Sequence, residues 1–129
     1  MKTTVVQPDS LPDPRPRYSQ GIHTEGGRLL FIAGQTSVDR TNTVVGKEDI
    51  ERQAEQVFEN LGAVLRAAGA SFDNLVMTTT YLTDIRYREA YNKVRLKYYK
   101  KRSPASTLLV VQALANPDFL IEIDGIAVI

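Results

Sequence analysis

The sequence predicts an α/β (α+β) fold, a mixed sheet with two helices on one face, and three observations predict it. Apolar residues recur at helical spacing in two stretches, 49–68 and 85–101. Runs rich in β-branched residues stand before, between and after them, at 18–34, 75–84, 107–114 and 119–128. Glycine, proline and asparagine separate these runs. The order ββ, α, β, α, ββ describes one layer of helix on one layer of sheet. A chain of 129 residues is long enough to bury a core of its own. We therefore expect a single domain over 1–129, with 1–17 as an extended lead-in.

Taken in order, a short strand is expected around Lys2–Val6. The stretch that follows holds four of the six prolines within residues 8–16. Proline lacks the N–H that a strand ladder needs, so this segment reads as extended chain outside the sheet. "YSQGIHT" (18–24), "GG" (26–27) and "RLLFIAG" (28–34) read as a hairpin turning on glycine. "DRTNTVVG" (39–46) is turn chemistry again.

The clearest periodic signal follows. Ile50, Ala54, Val57, Phe58, Leu61, Val64, Leu65 and Ala68 form one stripe of a helix. Asp49 is placed to cap its start, and Gly69 stands where a left-handed terminating residue belongs. "LVMTTTYLTD" (75–84) predicts a strand, and Asp84 caps a second helix on which Tyr87, Tyr91, Val94 and Tyr98 share a face. Pro104 stops that helix. The two last strands are split by the turn "ANPD".

Composition removes several classes of function. Sixteen basic residues against fifteen acidic ones leave a formal charge of +1, too little for a strongly electrostatic nucleic-acid or membrane binder. With no cysteine and one histidine, thiolate catalysis, Cys-ligated metals and a His-rich metal centre are excluded. There is no apolar run long enough to span a bilayer and no secretory-type N-terminus, so the expected compartment is cytoplasmic.

The last strand raises a packing problem. Phe119, Ile121, Ile123 and Ala127 face one way, while Leu120, Ile126 and Val128, also apolar, face the other. Two helices cover one side only. The other side needs a cover, and a second copy of the chain is the cheapest one, which implies a closed ring of subunits.

The same strand holds Glu122 and Asp124, two carboxylates on one face about 7 Å apart. Set among isoleucines, such a group is desolvated, its pKa rises, and it becomes suited to general acid or base work. The alternative is that both merely accept hydrogen bonds or pair with a cation. His23 reads as a surface strand residue, because nothing near it in sequence would orient the ring. The tyrosines 87, 91, 98 and 99 with Lys93, Lys97, Lys100, Lys101 and Arg102 suggest stacking on RNA, but a solvated helix face with an apolar stripe explains them better.

"YSQG" (18–21), "LLFIAGQTSVD" (29–39), "QAEQVFENLGAVLRAAGAS" (53–71), "TTTYLTD" (78–84), "YNKVRLKYY" (91–99), "SPAS" (103–106) and "IEIDGIAV" (121–128) resemble, in order, the signature blocks of the Rid (YjgF) family. The resemblance implies a chorismate-mutase-like fold, a homotrimer with a central β-barrel, and ligand clefts between neighbouring subunits. It implies hydrolysis of enamines and imines to 2-keto acids and ammonia, with a small-molecule substrate and no cofactor or metal. Residue by residue, it casts Glu122 as the water-positioning acid and Tyr18 as a hydroxyl lining the cleft. Gly34 would bring main chain to the ligand, and Asn92, Ser106 and Thr107 would contact it.

Two positions depart from the pattern. Imine-hydrolysing members read Pro-Ala-Arg-Ser, and that arginine grips the substrate carboxylate. Here Ser106 follows Pro104 and Ala105. A charge-assisted bidentate pair is worth about 1.5–3 kcal/mol, which a hydroxyl does not replace. Ala33 likewise stands where such members often carry serine. Both changes argue against ordinary 2-aminoacrylate deamination, and Arg17 (or Arg15) is the substitute cation the sequence offers. Two function classes stay open: a trimeric hydrolase acting on a different enamine or imine, and a trimer that binds or senses a metabolite without turnover.

Overall fold

The computed structural model describes residues 2–129. Six strands and two helices run in the order β1 (Lys2–Val6), β2 (Gly21–Glu25), β3 (Leu29–Gln35), α1 (Ile50–Ala67), β4 (Leu75–Leu82), α2 (Arg88–Tyr98), β5 (Ala105–Val110) and β6 (Ile121–Val128). The predicted mixed sheet is present as four strands ordered β3-β6-β4-β5. β6 lies antiparallel to both β3 and β4, while β5 runs parallel to β4. A parallel pair needs a crossover, and α2 provides it.

Helix α1 starts where the Asp49 carboxylate accepts the Arg52 amide at 3.0 Å. It ends before Gly69, whose φ of +76° suits a residue without Cβ. Its stripe of Ala54, Val57, Phe58, Leu61 and Leu65 is fully buried against Leu75, Leu82, Ile121, Ile123 and Ala127 of the sheet. Phe58 gathers the tyrosines of α2 and of its C-terminal cap around it, with ring centroids 4.9 Å away for Tyr98, 5.8 Å for Tyr99 and 6.3 Å for Tyr91. Those rings therefore serve the core and are not a stacking platform for bases. Lys93 and Lys97 reach across to Glu51 and Glu55 on α1.

The predicted hairpin between 18–24 and 28–34 is not formed. β2 pairs with β1 in a separate two-stranded sheet, and β3 pairs only with β6. Gly26 and Gly27, at φ +70° and +91°, lead from β2 into β3 without pairing the two strands. Contacts remote in sequence prevail over the local turn signal. The Ser19 amide donates to the Pro104 carbonyl at 3.0 Å, and the Ser19 hydroxyl to the Ser103 carbonyl at 2.6 Å. The Ser103 hydroxyl in turn donates to the Pro16 carbonyl. Arg102 binds the Thr3 hydroxyl (2.8 Å) and the carbonyls of Asp73 (2.6 Å) and Leu75 (3.0 Å). The N-terminal arm is thus fastened beside β5.

Further boundaries differ. Residues 85–87 form a 3₁₀ turn capped by Asp84, so α2 begins at Arg88, and it ends at Tyr98, well before Pro104. β4 stops at Leu82. β5 occupies Ala105–Val110 and not 107–114, because the Val111 amide takes the last β4 carbonyl, that of Leu82. Beyond it the strand has no partner.

The face of the sheet away from the helices carries Leu29 and Phe31, 62% and 70% exposed, with Leu109 also exposed. Val128 is already buried there within one chain, and Ile126 is half-buried. Gln53 is a fully buried polar residue on α1. Its amide donates to the carbonyls of Gly46 (3.1 Å) and Asp118 (2.8 Å) and accepts from the Leu120 amide (2.9 Å). Gln53→Leu removes three hydrogen bonds, takes from the part-buried Asp118 carbonyl and Leu120 amide their side-chain partner, and is expected to cost about 2–4 kcal/mol. Urea unfolding of the two proteins measures it, and a loss below about 0.5 kcal/mol would mean that Gln53 does not hold the entry to β6.

Candidate active site

Strand alternation sorts the predicted residues onto two faces. On β6, Ile121 and Ile123 point to the helices, so Glu122 and Asp124 point away. In register, Tyr81 on β4 stands opposite both Glu122 and Leu109, and Thr79 opposite both Asp124 and Thr107. Glu122, Asp124, Tyr81 and Thr107 therefore share the outer face. Thr78 pairs with Ser106, and Thr80 with Leu108, so Ser106 belongs to the helix side.

On the outer face, the Glu122 carboxylate lies over Gly34 of β3, so close that a Cβ at position 34 would overlap it. Glycine is required there for that approach. Burial against the sheet pushes the Glu122 carboxyl above the usual carboxylate range, and the Asp124 carboxylate pushes it further. Asp124 is itself engaged: it accepts a hydrogen bond from the Tyr81 hydroxyl at 3.0 Å, which raises the phenol's pKa. Thr107 is exposed, and Ala33 beside Gly34 is exposed as well.

On the helix side, Arg17, Tyr18, Asn92 and Ser106 line one cavity of about 470 Å³ with Arg88 and Arg95. The stitch from Ser19 to Ser103 and Pro104 is what brings Tyr18 beside Ser106. Arg17 thus reaches the cavity, whereas Arg15 is tied to Asp13 at 2.6 Å. Within one chain, Glu122 and Gly34 do not meet Tyr18, Asn92, Arg17 and Ser106. His23 is an exposed residue of β2. Among the described residues no cluster of His, Asp and Glu is arranged to hold a metal ion, and no helix is long and apolar enough to cross a membrane.

The sequence reading missed Arg95. It is 4% exposed, with its guanidinium carbon 4.6 Å from the Tyr91 ring centroid and 6.0 Å from that of Tyr18. Its place at i+4 from Tyr91, inside the buried stripe of α2, was the available signal. It missed Tyr81 too, which is readable only once the register with Asp124 is known.

A family model described as Endoribonuclease L-PSP matches residues 9–129. A RutC family protein of Saccharolobus solfataricus is 42% identical over 124 residues, 95% of each chain. The chain belongs to the Rid (YjgF) family. A conserved Rid-family protein of Yersinia pestis, described as of unknown function, superposes with a TM-score of 0.93 at 33% identity, covering 100% of both chains. The Rid-family likeness extends to a human protein named 2-iminobutanoate/2-iminopropanoate deaminase, 32% identical over 111 residues, 86% of this chain and 79% of that one.

Gly34→Ala tests the outer face directly. Because the added methyl meets only the mobile end of a side chain, the fold is expected to survive at a cost of ~1 kcal/mol or less. The Glu122 carboxyl, turned out toward water, should titrate nearer its ordinary value in a ¹³C NMR experiment. An unchanged titration would remove the contact from the site.

Proposed function

We propose that this Rid-family chain is a hydrolase for a small enamine or imine, working at clefts where the outer face of one copy meets the helix-side cavity of its neighbour in a trimer. The observation that carries the reading is Glu122, a carboxyl of raised pKa held against a glycine. Its partners in a cleft lie on the far side of the same sheet, so two copies are needed to assemble one site. The exposed Leu29, Phe31 and Leu109 support that apposition, since an apolar sheet face of this kind is ordinarily covered.

In this reading Glu122 takes a proton from water as the oxygen bonds to the C=N carbon. The tetrahedral carbinolamine collapses as that proton passes to nitrogen; the C–N bond breaks and leaves a carbonyl and ammonia. An enamine enters the same path after protonation at carbon. A raised pKa makes Glu122 a better base than an ordinary carboxylate, provided the pH is high enough to ionise it. Tyr18 orients the substrate, and Asn92, Ser106, Thr107 and the Gly34 backbone contact it. With Ser106 in place of an arginine, the chain falls with family members whose substrate is not ordinary 2-aminoacrylate. Ala33 and Ser106 favour a second reading, in which the trimer binds a metabolite without turning it over.

Ammonia release from a panel of imino acids and neutral enamines separates the two. Glu122→Gln is expected to lower kcat/KM by about 10²–10⁴-fold; turnover that survives the change would refute the role of Glu122. Ligand stabilisation with no ammonia from any substrate would establish the binding reading.

The pH dependence gives an independent check. Glu122 must be ionised to act as base, so kcat/KM rises with pH through its folded-state pKa, which lies above the ordinary value of about 4.3. Asp124→Asn removes the like charge and is expected to move that rising limb to lower pH. A limb that stays in place would assign it to another group.

A further inference from the structure

We propose that Arg95 of α2 is the receptor for the carboxylate of a small ligand, taking over from the helix what the strand residue at 106 does not supply. This rests on the reading above in treating the helix-side cavity as one half of the cleft.

Arg95 lines that cavity, yet it is buried and no carboxylate pairs with it among the described residues. A guanidinium has five N–H donors. The single hydrogen bond recorded for this side chain runs to the Tyr91 hydroxyl at 3.1 Å, which also accepts from Thr80 at 2.7 Å. The buried Nε has no acceptor. The Tyr91 and Tyr18 rings stabilise the charge through their faces, but they hold the group in place without neutralising it. A buried cation with its fork unfilled is costly unless an anion completes it.

The other lining groups agree in sign. Arg17 and Arg88 add two cations, and among the described residues no acidic residue lines the cavity and the buried Asn92 Oδ1 has no donor. Ser106 stands on β5 with a side chain small enough to leave space. The ligand class is a small organic monoanion whose carboxylate meets Arg95 in a two-point contact, with a polar hydrogen directed at Asn92.

Butyrate and its neutral isostere butyramide are the probes, titrated into the purified protein and followed by NMR chemical shifts. Butyrate is expected to bind at least tenfold more tightly than butyramide, and Arg95→Gln should abolish that preference. Lys93→Gln, an equal loss of charge on the solvent side of α2, should shift affinity less than twofold. Equal affinity for the two probes, no butyrate binding, or a preference that persists in Arg95→Gln overturns the proposal. If Arg95→Gln does not fold, a crystal of the wild-type protein with butyrate decides: a carboxylate on Arg95 supports the assignment, and one held elsewhere overturns it. Binding is read without turnover, so this result and the Glu122 assay fail independently.

Discussion

The register of β4 against its two neighbours governs everything else in this protein. Thr80 turns toward the helices and meets Tyr91, which holds Arg95; Tyr81, one residue on, turns outward and meets Asp124. A slip of β4 by one residue would turn Thr80 outward, away from Tyr91, and turn Tyr81 inward, away from Asp124. Gly125 helps to pin the alignment. It sits opposite Thr78, where a Cβ would crowd Leu75 and the Met77 carbonyl beside the irregularity in β4.

That alignment gives the two faces opposite electrostatic character. The outer face holds Glu122 and Asp124, neither of them in an ion pair among the described residues, and the helix-side cavity is lined by Arg17, Arg88 and Arg95 and by no acid among the described residues. Each arrangement is unfavourable alone: like charges on one face raise a carboxyl's pKa, and a buried guanidinium loses hydration. Set against each other across the proposed interface, they would complement. The incompleteness of each face is therefore the physical argument for association, and it is a sharper one than the leftover apolar surface that the last strand first suggested.

How much could be read from the sequence depended on the range of the interactions. The stripe of α1, its Asp49 cap and the strand around Glu122 are local patterns, and they emerged where expected. The β2–β3 hairpin did not, because a glycine pair specifies a bend and not its partner. The decisive contacts, Ser19 with Ser103 and Arg102 with Thr3, join residues more than eighty positions apart. The site shows the same division. Glu122 announced itself as an acid among isoleucines, and Tyr18 and Ser106 through their blocks, but their separation onto two faces needed the sheet register. Arg95 was hidden because a cation on a helix rich in lysine ordinarily faces water. Only the packing of Tyr91 and Tyr18 around it reveals a buried charge.

The serine at position 106 then takes on a different meaning. An arginine there would project from β5 into the cavity that already contains Arg95 and is flanked by Arg17 and Arg88. Like charges in a partly dry space repel, and two forks would compete for one carboxylate. A short hydroxyl avoids both problems and leaves room for a ligand between strand and helix. Where the anion is gripped also sets how the rest of the molecule lies. In the proposed cleft, a carboxylate held from α2 would enter at a different angle from one held from β5, so the reacting carbon would meet the neighbour's Glu122 in a different pose. In the proposed reading, relocating the cation changes which substrates align with the water, and the departure at Ser106 becomes a change of specificity.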